Sequence, residues 1–178
     1  MKRICPLRLL ALCGSFLVIL GCTRQPTTPA SSLPDASLTV DYGTPTPCGS
    51  FNESMPQSVL RRLNADRVAA GLSQLKMDYG PMMQAAQTRA LELTVHFAHE
   101  RPNGDPWNTV FSQYAIHGQH IGENLACGQS SPETVYQGWW DSQQGHKENM
   151  LNKNYTHVSI ACLYVNDKHF WVQLFRSE

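Results

Sequence analysis

Cysteine and histidine carry most of the reactive chemistry that this sequence offers. The chain has six cysteines and seven histidines among its 178 residues. Thiols can be acylated, oxidised or bound to metal, and neutral imidazoles bind metals or carry protons near neutral pH. Their neighbours in sequence, and the compartment that the chain enters, decide which of these reactions each residue can undergo.

Cys22 directly follows a segment with the layout of an export signal. Residues 1–21 join a basic start to an apolar run over 9–20 and contain no acidic residue. A run of about 12 residues is too short to span a bilayer well. Residues 19–22, Ile-Leu-Gly-Cys, resemble the bacterial lipobox, in which the cysteine thiol receives a diacylglyceryl group. We expect Cys22 to be lipidated; the alternative is an ordinary secretory signal that is cut elsewhere.

Lipidation at Cys22 would attach the chain to a membrane of the cell envelope. One acyl chain such as palmitate binds only marginally, whereas two or three hold a protein stably, at about 0.8 kcal/mol per buried methylene. Because Thr23 and not Asp follows the cysteine, we expect the outer membrane, facing the periplasm, if the host has two membranes.

Composition divides the mature chain into a tether and one domain. Residues 22–53 are rich in Pro, Thr and Ser and have no apolar periodicity, which predicts an extended tether. Residues 54–178 have the length of a single domain, which we expect to be monomeric. The formal net charge of the chain is +0, and the signal removes basic residues only. The sequence therefore has no basic patch for nucleic acid.

Three cysteines remain after export and lipidation: Cys48, Cys127 and Cys162. In an oxidising compartment, three thiols can form one disulfide and leave one cysteine over. Cys127 and Cys162 both lie in predicted strands and are the preferred pair. Cys48, in the tether, is the alternative partner.

Two helices are predicted at the start of the domain. The first begins at Ser54, as its cap, and ends before Gly71. The second has Asp78 as its cap and Pro81 in its first turn. The predicted buried faces consist of Leu60, Leu63 and Val68 in the first helix and Met83, Ala86, Ala90 and Leu93 in the second.

The rest of the domain mixes short helices with β-rich runs. We predict a loop over 98–107, short helices near 108–114, 132–140 and 145–151, and a strand within 119–127. Two β-rich runs near the C-terminus are separated by Asn166-Asp167, which predicts an antiparallel hairpin. The fold class is therefore α+β, with helices packed on a small antiparallel sheet.

Four segments of the domain carry a family resemblance. They are LNADRVAAGLSQL at 63–75, FAHERPNG at 97–104, GENLACGQ at 122–129, and the run from Trp140 through GHKENML at 145–151 to THVSIAC at 156–162. Together they resemble the CAP superfamily, the cysteine-rich secretory, antigen 5 and pathogenesis-related proteins with an SCP domain, in its bacterial branch. The resemblance implies an α-β-α sandwich.

The resemblance also implies a cleft with known residue positions. His99 matches the first histidine of the family cleft, Glu123 its glutamate and His146 its second histidine. Larger eukaryotic members carry another glutamate, where this chain has Gln143. Bacterial members commonly lack that glutamate, so its absence does not weaken the resemblance. It does remove one carboxylate from the cleft.

Two imidazoles and a carboxylate could hold zinc, which takes three protein ligands and an open position in catalytic sites. The three ligands would be His99, His146 and Glu123. Zinc is a possible cofactor in this interpretation, and the sequence indicates no required cofactor. In the alternative interpretation, Glu123 accepts hydrogen bonds from backbone amides and the histidines are polar rim residues. Covalent catalysis is disfavoured, because Ser142 and Ser159 lack a nucleophile-elbow context.

Binding is the preferred function and catalysis is the alternative. The resemblance implies a non-enzymatic module that binds a lipid or sterol-like ligand, or a protein, in the cleft formed by His99, Glu123, Gln143 and His146. The alternative is a zinc-assisted hydrolase that uses the same residues. At most one or two of the four tryptophans are expected to line a ligand groove.

Overall fold

The computed structural model describes residues 49–178. The predicted signal, the lipidated Cys22, most of the tether and Cys48 lie outside the described residues. The elements, in chain order, are β1 (Ser50–Phe51), α1 (Ser54–Ala69), β2 (Lys76–Met77), α2 (Pro81–Val95), α3 (Thr109–Gln113), β3 (Ile121–Cys127), α4 (Pro132–Trp140), α5 (His146–Met150), β4 (His157–Val165) and β5 (Lys168–Arg176).

The C-terminal hairpin forms the centre of a five-stranded sheet. Strands β4 and β5 pair antiparallel, and Asn166 and Asp167 between them have φ angles of 51° and 59°. Two central residues with positive φ are typical of the tight hairpin turns that match strand twist. The strand order is β1-β4-β5-β3, and β2 is a parallel addition to β4. The predicted hairpin is confirmed, whereas β1 and β2 were not predicted.

Helices cover both faces of this sheet, each over its own apolar core. Helices α2 and α3 pack on one face, against β3, β4 and β5 residues such as Leu125, Leu163 and Val172. Helices α1 and α4 and Met150 of α5 pack on the other face, around Trp139 and Trp171. The molecule is therefore an α-β-α sandwich, as the resemblance implies, and its fold class is α+β.

Helix α1 begins where predicted but is capped by a different residue. The side-chain oxygen of Asn52 accepts hydrogen bonds from the backbone N–H groups of Ser54 (3.0 Å) and Met55 (2.8 Å). Ser54 was the predicted cap. The buried face also differs, since it contains Val59 and Leu63 while Val68 is 54% exposed.

Helix α2 buries a wider face than the apolar pattern predicted. Ala86, Ala90 and Leu93 are buried as expected, and Met82 is buried in place of Met83. The same face also contains Arg89 and Glu92, both buried. A charged pair inside an apolar face needs partners within the fold, because an isolated buried charge costs several kcal/mol.

The structure does not support the preferred pairing of Cys127 with Cys162. Cys127 lies on β3 and Cys162 on β4, and β5 runs between these two strands. The two residues also belong to the cores on opposite faces of the sheet. Strands are about 4.8 Å apart, so the Cα atoms are farther apart than the roughly 7 Å that a disulfide tolerates. Burial raises the pKa of the Cys162 thiol to about 12.

Side chains cover the outer edge of β3. The hydroxyl of Tyr155 donates to the carbonyl of Ile121 (3.0 Å) and the indole of Trp139 donates to that of Leu125 (3.1 Å). This strand is therefore protected from pairing with another chain. Within residues 49–178, no helix has the length and hydrophobicity needed to cross a membrane.

Candidate functional site

The site is built around the sequence Gly122-Glu123-Asn124 on β3. Successive side chains of a strand point to opposite faces. Glu123 therefore points to the layer that contains α2, and Asn124 points to the layer that contains α5. Because β3 is an edge strand of the described sheet, residues from the helices of both layers can reach its outer edge.

The buried carboxylate of Glu123 is held by Arg89 and His99. Arg89 Nε donates to Glu123 Oε2 (2.7 Å), and Arg89 Nη2 donates to Oε1 (3.3 Å). His99 Nδ1 lies 2.8 Å from the same Oε1. The Arg89 and Glu123 side chains are 0% exposed, whereas that of His99 is 55% exposed. Side-chain donors, and not the backbone amides that one interpretation predicted, therefore neutralise this carboxylate.

Arg89 links the site to a larger buried ion-pair network. Its Nη1 also pairs with Glu92 one turn later on α2. Arg101, from the loop after α2, donates through Nη2 to Glu92 Oε1 (2.6 Å). Burial disfavours the charge of Arg89, but Glu123 and Glu92 outweigh that effect and raise its pKa. The result is a chain of alternating charges that runs from Glu123 through Arg89 and Glu92 to Arg101.

Arg89 also fixes the loop that carries His99. Its Nη2 donates to the carbonyls of Ala98 (3.0 Å) and His99 (3.1 Å). The backbone of His99 is therefore hydrogen-bonded to Arg89, and its ring is hydrogen-bonded to Glu123. If the ring donates its Nδ1 proton to the carboxylate, its Nε2 is left as an acceptor.

His146 approaches the same edge from the opposite layer. It is the first residue of α5 and is only 8% exposed, and its Nδ1 lies 2.8 Å from the hydroxyl of Ser142. Burial lowers the pKa of His146, and the charge of nearby His99 lowers it further. The neutral ring is therefore the favoured form near pH 7. His146 is more enclosed than a rim residue, which corrects that part of the prediction.

A buried amide cluster positions the backbone of His146. Asn124 Nδ2 donates to the carbonyl of His146 and to Gln173 Oε1, both at 3.0 Å, and Asn149 Nδ2 donates to Asn124 Oδ1 (2.9 Å). Asn124 and Gln173 are completely buried. This cluster holds α5 against β3, so the asparagine of the Gly-Glu-Asn sequence has a structural role beside the glutamate.

A profile of the CAP family, described as the cysteine-rich secretory protein family, matches residues 60–175. The chain belongs to the CAP family. The matched segment contains every site residue described above and lies inside the predicted domain of residues 54–178.

Relatives share the CAP domain but differ in length. YkwD of Bacillus subtilis (strain 168), an uncharacterized protein, is 34% identical over 121 residues, which are 67% of this chain and 46% of YkwD. An extracellular protein with an SCP domain from Bacillus anthracis str. Ames has 25% identity and a TM-score of 0.62, over 70% of this chain and 41% of its own. The chain thus spans less than half of each of these two proteins.

A third protein, similar in fold, has nearly the same extent as the domain. An outer surface protein from Borrelia burgdorferi is 19% identical, with a TM-score of 0.65, over 73% of this chain and 98% of its own. At this identity, the likeness concerns the fold alone.

The CAP cleft of this chain does not form the three-ligand zinc site that the sequence suggested. Both carboxylate oxygens of Glu123 already accept hydrogen bonds, from Arg89 and His99. Within the described part of the chain, no three His, Cys, Asp or Glu side chains are placed to hold a metal ion. A catalytic zinc takes three protein ligands, and the described residues do not bring such a set together.

Gln143 does not join the histidines and the glutamate. It lies in the exposed loop between α4 and α5, and its amide donates only a long hydrogen bond (3.5 Å) to the carbonyl of Asp141. Its side chain is nevertheless available to a ligand that reaches the loop before His146.

Sequence reasoning missed the residues that organise the cleft. Arg89, Glu92 and Arg101 were not singled out, although the first two lie between apolar positions of the predicted buried face of α2. A charged pair three residues apart inside such a face is a signal of a buried ion pair. Arg101 is part of the FAHERPNG segment, in which only His99 was predicted to belong to the cleft.

Proposed function

We propose that this chain is a non-enzymatic CAP module, anchored in the cell envelope through Cys22, that binds a polar ligand at the edge of β3. The proposed contact residues are the half-exposed His99 and the exposed Gln143, and the ligand class is a protein surface. One observation carries the proposal: the carboxylate of Glu123 is buried and engaged by both Arg89 and His99.

This arrangement suits binding better than hydrolysis. A general base must be able to take up a proton from water or substrate, whereas the oxygens of Glu123 already serve as acceptors in a buried network. What remains accessible is the half-exposed imidazole of His99 and the exposed carboxamide of Gln143, in the loop before His146. Imidazole and carboxamide groups can donate and accept hydrogen bonds, so they suit the backbone and polar side chains of a protein. A lipid would need an apolar cavity, and these groups are polar.

The N-terminal sequence and the descriptions of similar proteins support the proposed location in the cell envelope. The signal and lipobox pattern of residues 1–22 supports export and anchoring. The Bacillus anthracis relative is described as extracellular, and the Borrelia burgdorferi relative as an outer surface protein. These descriptions concern those proteins. That of the Bacillus anthracis protein supports the same side of the membrane for this chain.

Photo-crosslinking from the cleft tests the proposal. A benzophenone amino acid at Gln143, in the native envelope, should give a discrete protein adduct, while the same group at Lys153, exposed beyond α5, should not. The adducted protein is identified by mass spectrometry and purified. Its affinity for the chain should fall at least about tenfold in His99→Ala, as for a polar contact removed at an interface centre.

A hydrolysis assay serves as the counter-test. Fluorescent casein and a fluorogenic peptide library, incubated with the purified chain and Zn²⁺, should show no turnover above that of the double variant His99→Ala and His146→Ala. Zinc-dependent cleavage that this double variant lacks would overturn the proposal, and so would adducts that contain only lipid.

A further inference from the structure

A cavity lies at the opposite edge of the sheet from the histidines. Its volume is about 300 Å³, and it opens where β1 and β2 both flank the outer edge of β4. Residues from the start of α1 and from α2 complete its walls. The site described above is at β3, on the far side of β5, so the two sites share no residue.

The body of this cavity is apolar. Ile160 and Cys162, both completely buried, form its floor, and Phe51, Met77 and Met83 contribute half-buried walls. The ring of Tyr79, at the rim, is 65% exposed. Methionine side chains are flexible and polarizable, so two of them can adjust to different apolar shapes.

The polar groups at the rim restrict the charge of a ligand. The carboxamides of Asn52, Gln57 and Gln87 line the opening, and among the described lining residues Glu53 is the only charged one. A fatty acid or phospholipid headgroup would meet a carboxylate and no cation there. Carboxamides instead suit the amide groups of a polypeptide, and Glu53 suits a neighbouring basic residue.

The size of the cavity also favours a polypeptide as the ligand. About 300 Å³ is the lower limit for ligand pockets. It can take one large apolar side chain, the kind of anchor that dominates many protein interfaces. We infer that this cavity is a second binding site, which takes an aromatic or large aliphatic side chain of a partner polypeptide whose adjacent residue is neutral or basic.

The methionines of the chain provide internal probes for a test. The full chain, labelled with ¹³C at its methionine methyl groups and held in phospholipid nanodiscs, is titrated with the peptide acetyl-Gly-Phe-Lys-Gly-amide. The methyl signals of Met77 and Met83 should shift saturably. The signals of Met82 and Met150, both 0% exposed and outside the lining, should move less.

Peptide variants test the two parts of the inference separately. Replacing Phe by Ala in the peptide should abolish the shifts. Replacing Lys by Glu should weaken binding about threefold, the size expected for one exposed charge. Glu53→Gln should remove most of that difference.

Protein variants separate the cavity from the rest of the surface. Gln87→Trp, which places a large ring at the wall, should abolish binding. Gln84→Trp, nearly one turn earlier on α2, exposed and outside the lining, is the matched control and should bind normally.

Three results would overturn the inference. One is the absence of peptide-induced shifts in the full chain, including the case in which residues 23–47 already fill the cavity. The second is equal binding by Gln87→Trp and Gln84→Trp. The third is tighter binding of decanoate than of the Phe-Lys peptide, which would make this an acyl-chain site.

Discussion

At the scale of single residues, the cleft is governed by how each charge is compensated. Glu123 has its partner in Arg89, Glu92 pairs with both Arg89 and Arg101, and His99 is the member of this network that reaches solvent. Buried ion pairs rarely increase stability beyond what apolar residues would give, but breaking one is costly. The network therefore fixes the geometry of His99, and it makes the domain sensitive to substitutions there.

His146 makes the stability of the domain depend on pH. Its pKa in the fold lies below the usual 6.5 because the ring is buried and close to His99, with Glu148 opposing the shift. As the pH falls, His146 therefore takes up a proton in the unfolded chain before it does so in the folded chain. Stability is full above about pH 6.5 and is lost as the pH falls through the folded pKa.

The expected result is a lower urea midpoint at pH 5.5 than at pH 7.5, with a difference that shrinks in His146→Gln. The pKa values of His157 and His169 are also lowered, chiefly by burial, so part of the pH dependence should remain. The exposed His117→Gln is the control and should behave like the unsubstituted chain. An unchanged pH dependence in His146→Gln would contradict the assignment.

At the scale of elements, Gly122 determines how closely α5 and its following loop approach β3. A Cβ at this position would collide with the hydroxyl of Tyr155 and would crowd Asn149 Oδ1 at 3.2 Å. Both side chains donate hydrogen bonds to carbonyls of β3. The glycine of Gly-Glu-Asn is therefore required by close packing and not by an unusual backbone angle.

Gly122→Ala should destabilise the domain by about 1 to 3 kcal/mol, the usual range for overpacking a dense site. Thermal unfolding measures the change. Gly138→Ala is the matched control, because at α4 the nearest atom to an added Cβ is 3.8 Å away. If both variants melt alike, the packing argument for Gly122 is wrong.

The start of α1 offers a second test at this scale. Asn52→Ala removes the acceptor for two orphan N–H groups of the helix and should cost about 1 kcal/mol. Ser54→Ala should cost clearly less, because its side chain makes no N-terminal capping bond to the helix backbone. Chemical denaturation of the two variants, side by side, decides between them. If Ser54→Ala lost more stability than Asn52→Ala, Ser54 would be the cap of the helix.

The sequence predicted elements better than it predicted the contacts between them. Periodicity and capping residues located α1, α2, α4 and the hairpin, since these signals are local. Strands β1 and β2 have only two residues each, and such strands exist only because β4 offers an edge to pair with. Likewise, the Arg89–Glu123 pair joins positions 34 residues apart, which no local pattern specifies.

At the scale of the whole molecule, the chain combines a proposed membrane anchor with a CAP domain that has two candidate binding sites. Cys22→Ala should give a protein that no longer partitions into the detergent phase of a Triton X-114 extraction, because the short apolar run at 9–20 cannot span a bilayer. Thr23→Ala is the control and should partition normally. Membrane-bound Cys22→Ala protein would refute lipidation as the anchor.

The account rests on Glu123 as a structural counter-ion for Arg89. A double-mutant cycle of Arg89→Met and Glu123→Leu, measured by urea unfolding, tests it most directly. Each single variant should lose about 3 to 5 kcal/mol, because it leaves a buried charge with its compensation reduced. The double variant should be markedly more stable than the sum of the two losses predicts. Additive losses, or a Glu123→Leu variant as stable as the unsubstituted chain, would contradict the claim.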